Sequence, residues 1–241
     1  MVLEESFRAI SSALPGKVGI GIAAVGDDQV ITLGDWDTGV AWSTIKVPLA
    51  ISALHSEGER TGSAAQSAIE ASDNDAAEQM WARLGPPSKA AQDVQAVLRA
   101  AGDSVTRVES ERVRPGFSAF GQTKWSLTQQ TVFAAHLPCL SEARPVIELM
   151  SDISESQRWG LARVAGSASK GGWGPDEHWD YLVRQFAVIS TPRGQTAVAI
   201  AAEPTSGTFS TGVALLDKLT AWVQAQSTKL PAGHCGIGGG S

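Results

Sequence analysis

The stretch AWSTIKVPLA, residues 41–50, sets Ser43 three residues before Lys46 and closes on Pro48 two residues later. Proline is tolerated in the first turn of a helix and damaging further in, so Pro48 predicts a helix that begins close to Ser43. Side chains at i and i+3 share a helix face, which lets a hydroxyl and an amine meet there. The unpaired N–H groups of a first turn also favour negative charge developing on a bound acyl oxygen. A capping serine followed by an ordinary lysine would look the same, however. Ser167 and Lys170 repeat the spacing inside a predicted strand. Ser43 and Lys46 therefore gain meaning only from partners elsewhere in the chain.

Outward from this stretch the pattern changes twice. On the N-terminal side, MVLEESFRAISSAL has helical spacing and stops at Pro15-Gly16, and KVGIGIAAV and QVITLG are strand-like runs flanking GDD, the mark of a hairpin. From Ser43 to about Gly160 the chain is rich in Ala, Leu, Glu and Gln, with helical periodicity in AAQSAIEASDNDAAEQMWARL and KAAQDVQAVLRAAG. Beyond it come three strand candidates, GSASKGG, YLVRQFAVIST and QTAVAIAAE, and then the amphipathic TGVALLDKLTAWVQAQ. This order predicts an α/β protein of the α+β type: a five-stranded antiparallel sheet flanked by N- and C-terminal helices, with an all-helical lobe inserted after the second strand. The expected organisation is one domain over 1–241, with a sheet lobe of 1–42 and 161–241 and a helical lobe of 43–160. A cleft between the lobes is the expected site.

Composition narrows the function classes. At 241 residues and 43% hydrophobic the chain can bury a large core. A net charge of -6 without basic runs argues against nucleic acid as a partner. No segment is apolar for long enough to cross a bilayer. The start, MVLEESFRAI, lacks the basic end and apolar run of a secretory signal, so the chain reads either as one that stays in the cell or as a processed form. Cys139, Cys235 and the four histidines, His55, His136, His178 and His234, show no ligand spacing, so neither a metal nor a cofactor is expected. The two cysteines read either as buried thiols or as one disulfide tying the tail PAGHCGIGGGS to the body.

Two further elements support Ser43 and Lys46. Ser72-Asp73-Asn74 falls near the middle of a strongly helical segment, where three residues of this type are poor helix formers. SKGGWG, residues 169–174, ends a predicted strand, and its glycines allow a ligand's backbone to approach closely. In order, Ser-x-x-Lys, Ser-Asp-Asn and a Lys-Gly-Gly strand resemble the motif set of the serine β-lactamases and penicillin-binding proteins, and class A β-lactamases most closely. The resemblance runs from Phe7 to about Gln226 and includes YLVRQFAVISTPRGQTAVAIAAEP, which looks like the family's last two strands.

What this resemblance implies is a serine acyl-enzyme hydrolase acting on a β-lactam or peptide amide carbonyl. Ser43 would be the nucleophile, Lys46 the base, and Ser72 the relay to the leaving nitrogen. The backbone N–H groups of Ser43 and Trp173 would form the oxyanion hole, and Asn74, Lys170, Gly172 and Arg184 would bind substrate. It also favours the Cys139–Cys235 disulfide and an extracytoplasmic location for a processed, monomeric chain acting on small-molecule or peptidoglycan-like substrates.

Three departures qualify the implied activity. Only 29 positions separate Ser43 from Ser72, fewer than in the family. Gly171 stands where a Thr or Ser hydroxyl would bind the substrate carboxylate. Counting forward from Val105, the place of the deacylating glutamate falls on Arg112, with Glu109 and Glu111 close by but out of step and Gln122 or Thr123 as substitutes that are not bases. The competing reading is a non-catalytic cell-envelope binding or scaffold protein on the same fold, or a D,D-peptidase-like penicillin binder.

Overall fold

The structure, a computed structural model, describes residues 2–236; the last five residues of the Gly-rich tail lie outside the described residues. The chain enters through α1 (Val2–Ser11) and the antiparallel hairpin of β1 (Gly16–Ala24) and β2 (Ile31–Gly34). After a long helical excursion it returns through β5 (Ala168–Pro175), β6 (Tyr181–Thr191) and β7 (Gly194–Pro204), and ends in α8 (Phe209–Ala225). The strand order is β2-β1-β7-β6-β5, antiparallel throughout. β5, the strand carrying SKGGWG, is therefore an edge strand of the sheet.

Each face of the sheet carries its own apolar cluster. Ile20, Ile22, Val198 and Ile200 face α1 and α8, where Phe7 meets Trp222 edge-on with ring centroids 5.2 Å apart. On the other face, Phe186 packs with Phe133 at 5.8 Å and Trp125 at 6.1 Å. Phe133 belongs to α6 (Leu127–His136). The N- and C-terminal helices thus cover one face and the inserted segment the other, as the element order predicts.

The insert is built on α2 (Lys46–Glu57), whose residues Lys46 to Ala53 are all buried, so it is a central rather than an amphipathic surface helix. Around it lie α3 (Gly62–Glu70), α4 (Asn74–Arg83), α5 (Pro87–Ala100) and α7 (Arg144–Ser151). The insert is not all helical, which corrects the sequence expectation: β3 (Thr38–Val40) pairs with β4 (Lys124–Ser126) in a two-stranded ribbon. Three-residue strands whose partner lies far along the chain leave no period-2 signal.

Cys139, just beyond α6, is disulfide-bonded to Cys235, so the reading as buried thiols is set aside. The bond closes a loop of 96 residues and ties the chain end to the body beside the Gln195–Gly233 bridge. Replacing both cysteines by serine is expected to lower unfolding free energy by about 2–5 kcal/mol. Thermal unfolding of the double variant beside the parent measures this, with a fall on the order of 5–15 °C expected.

Candidate active site

Ser43 sits in a 3-10 turn, Trp42–Ile45, that runs directly into α2, and Lys46 is the first residue of that helix. The start near Ser43 that Pro48 predicts is observed. Trp42, immediately before Ser43, has φ of 50°, and Ser72 has φ of 60°. Non-glycine residues rarely adopt this region, and such strain persists only where its surroundings enforce it. Two of the three such residues found among the described residues flank this site.

The Ser72-Asp73-Asn74 triplet breaks the helical run rather than lying within it. α3 ends at Glu70, Ser72 turns the chain, and Asp73 caps α4 by accepting the Ala76 N–H at 2.9 Å. The turn points Ser72 and Asn74 at Lys46. Lys46 Nζ donates to Ser72 O at 2.6 Å, Asp73 O at 3.2 Å and Asn74 Oδ1 at 2.7 Å. From the other side Lys170 Nζ donates to Ser72 Oγ at 2.9 Å and Gly171 O at 3.1 Å. Among the described residues no hydrogen bond joins Ser43 Oγ to Lys46.

Both lysines are nearly inaccessible, at 1% and 2% exposure. Burial lowers the Lys46 pKa to about 8, against a weaker opposing pull from the charge of Asp73. Burial pushes Lys170 well below the ordinary lysine value, and the neighbouring charge of Lys46 adds to the shift.

Side chains alternate across β5, and each face explains its own glycines. Lys170 and Gly172 face the turn that carries Ser43. A Cβ on Gly172 would lie 2.8 Å from Ser43 N and 2.9 Å from Thr44 N, so only glycine lets the strand edge touch the turn. Gly171 faces the other way, onto Trp159, whose ring would lie 2.5 Å from an added Cβ. The hydroxyl-bearing residue that the family resemblance leads one to expect at 171 has no room there.

Ser43, Lys46, Ser72, Asn74 and Trp173 line one cleft of about 450 Å³. Phe117 and Trp173 wall it without filling it. A larger groove of about 1170 Å³, between α1 and β2, holds none of the candidate residues.

Arg184 is not in the cleft, which corrects its assignment as a substrate-binding residue. It is fully buried, donating to Gly39 O and Val40 O at 3.2 Å, Trp125 O at 3.0 Å and Gln130 Oε1 at 3.0 Å, and burial lowers its pKa to about 9. Its register partner is Gly172, so it shares that face of the sheet, but the carbonyls of the β3–β4 ribbon capture it. Gln130 passes the contact on, donating to Thr44 Oγ1 at 2.9 Å, and Thr44 Oγ1 donates to Ala41 O at 2.6 Å. Arg184 thus braces the turn that carries Ser43 from behind.

The segment after Val105 also differs from the substitutes named for it. Glu109 folds onto its own backbone, accepting from Ser110 and Glu111 N–H, and Thr123 Oγ1 accepts the Glu109 N–H at 3.0 Å. Gln122 is buried and bonds Arg114 and Ser118. None of these lines the cleft; Arg112 does, donating to Glu78 at 3.1 Å. Asp75 and Glu78, which the sequence reading passed over, supply the cleft's carboxylates. The signal was the helical spacing of Asn74 and Glu78, one turn apart on α4.

No protein-family model matches the chain, and no curated protein matches it by sequence. Solved structures do match over nearly the whole fold. A class A β-lactamase from Mycobacterium abscessus superposes with TM-score 0.72 at 14% identity, over 92% of this chain and 98% of that one. A β-lactamase from Burkholderia vietnamiensis gives 0.71 at 18% identity, over 95% and 97%. The chromosome-encoded β-lactamase of Vibrio parahaemolyticus gives 0.70 at 16%, over 93% and 98%. The fold is that of the class A serine β-lactamases.

Gly172→Ala tests the close approach of strand and turn. Because the colliding atoms are backbone, the variant is expected to lose about 1–3 kcal/mol of stability, read by chemical denaturation.

Proposed function

We propose that the protein is a serine acyl-enzyme hydrolase that attacks a β-lactam or peptide amide carbonyl through Ser43. The observation that carries this reading is that Ser43, Lys46 and Ser72 line one cleft, with the buried Lys170 bonded to Ser72 Oγ from β5. In the proposed reaction Lys46, once neutral, takes the Ser43 proton as Oγ bonds to the carbonyl carbon. The N–H groups of Ser43 and Trp173 hold the resulting oxyanion, each worth roughly 3 kcal/mol. As the C–N bond breaks, Ser72 hands its proton to the leaving nitrogen, and the two lysines restore it. Asn74 Nδ2 is left to meet the substrate amide, since Asn74 Oδ1 is held by Lys46.

Deacylation is the slow step in this scheme. Of the carboxylates lining the cleft, Glu78 is held by Arg112, and the segment after Val105 contributes Arg112 rather than an acid. Gly171 is turned onto Trp159, so no side chain at this position reaches the cleft to bind a substrate carboxylate. The disulfide fits an oxidising, extracytoplasmic setting. The gap between Ser43 Oγ and Lys46 is the observation that favours a non-catalytic binding role instead. Hydrogen bonds of this kind often close only around substrate.

An intact-mass time course with a penicillin separates the two readings. A stoichiometric adduct that persists over many minutes, and is absent in Ser43→Ala, is the expected result; no adduct and no hydrolysed drug would favour the binding role. The acylation rate is expected to climb with pH from 6 and level off above about 8, because Lys46 acts in its deprotonated form. Lys46→Arg, a far weaker base that stays protonated where lysine does not, is expected to lower that rate by at least about 10²-fold.

A further inference from the structure

The nucleophile cleft shares a wall with a second cavity. That cavity, of about 360 Å³, is lined by Thr38, Gly39, Arg114, Lys124 and His178 among others. Trp42 lines both. β5 runs from one to the other: Trp173 borders the cleft, and Gly174 and Pro175 border the second cavity. A substituent extending along the edge of β5 from the expected oxyanion position at Trp173 towards Pro175 therefore meets this wall.

The wall is made of three stacked side chains. Trp42 lies flat over Gly174, where an added Cβ would come within 2.5 Å of its ring, and it meets Phe117 edge-on at 5.2 Å. The Arg114 guanidinium lies over the Phe117 ring, 4.6 Å from its centroid. Arg114 also crosses to the end of β5, with Nη1 donating to Pro175 O at 2.6 Å and Nη2 to Asp176 O at 3.0 Å. Its own backbone is fixed by Gln122 Oε1, which accepts the Arg114 N–H at 2.7 Å. Trp42 has no such anchor: its Nε1 is buried without a partner, and its backbone sits in the strained region beside Ser43. Two hydrogen bonds from one side chain thus strap the loop over residues 112–118 to the strand.

We propose that Arg114 is a specificity-determining residue. It closes the end of the cleft where β5 leaves it, and so limits the acyl group carried on Ser43 to small substituents. Released, the strap would join the two cavities into one trough along the strand edge, nearly doubling the space beside the nucleophile. Steric limits of this sort distinguish substrates by about 10–200-fold per group, enough to read as selectivity. This inference rests on acyl transfer at Ser43.

The test uses two penams with the same nucleus, one with an acetyl-sized side chain and one with a long aromatic side chain. Acylation rates by intact mass are compared for the parent, Arg114→Ala and Arg114→Lys, with thermal midpoints recorded alongside. The parent is expected to favour the short side chain by at least about tenfold. Arg114→Ala is expected to raise the long-chain rate by a similar factor while changing the short-chain rate less than about threefold, with Arg114→Lys in between. An unchanged ratio of the two rates, even with both slowed, would overturn the proposal and leave Arg114 a structural brace. Adduct formation with neither penam in any of the three proteins would overturn the acylation reading, and the strap proposal with it.

Discussion

Three cations lie buried between the sheet and the inserted helices: Lys46, Lys170 and Arg184. Each is held by neutral oxygens, mostly backbone carbonyls, rather than by a carboxylate in hydrogen-bond contact. Burying a charge this way is costly unless its donors find fixed acceptors, and here all the named cations find several, although Arg184 Nε is left without one. The acceptors are fixed because they belong to turns, ribbons and strand ends that meet only here. For Lys46 the lowered pKa corresponds to about 3 kcal/mol of lost stability at neutral pH. Its folded pKa lies below the unfolded value, so that cost is felt below about pH 8 and is relieved as pH rises beyond it. A structure that keeps two buried lysines facing one serine gives up stability for amines that lose protons easily.

The geometry around Ser43 follows from the same packing. Arg184 pins the β3–β4 ribbon and, through Gln130 and Thr44, the back of the 3-10 turn. Gly172 lets the edge of β5 press on the front of that turn. Held on both sides, the turn tolerates the strained backbone of Trp42 and leaves Ser43 between a helix start and the edge strand of the sheet. An edge strand is ordinarily a liability, and here it is the side on which substrate is proposed to lie.

Much of this was legible in the sequence because it is local or periodic. The largely apolar runs YLVRQFAVIST and QTAVAIAAE mark central strands buried on both faces, and Pro48 marks the start of α2. Ser72-Asp73-Asn74 could be recognised as foreign to a helix, although not as the break between two. What stayed hidden depends on contacts far apart in sequence. The β3–β4 ribbon pairs Gly39 with Trp125, and no window of sequence contains both. Arg184 was placed correctly on β6, but a strand position does not tell which carbonyls capture a long side chain. Gly171 looked like a lost hydroxyl until Trp159 was found beneath it. Arg112 and Glu78 form their cleft-side pair across 34 positions.

The most direct measurement is the crystal structure of the protein after exposure to a penicillin. Continuous density from Ser43 Oγ to an opened lactam is predicted, with the carbonyl oxygen within hydrogen-bond distance of the Ser43 and Trp173 N–H groups and Ser72 still bonded to Lys170. An empty cleft, or an intact drug held elsewhere with Ser43 unmodified, would contradict the account.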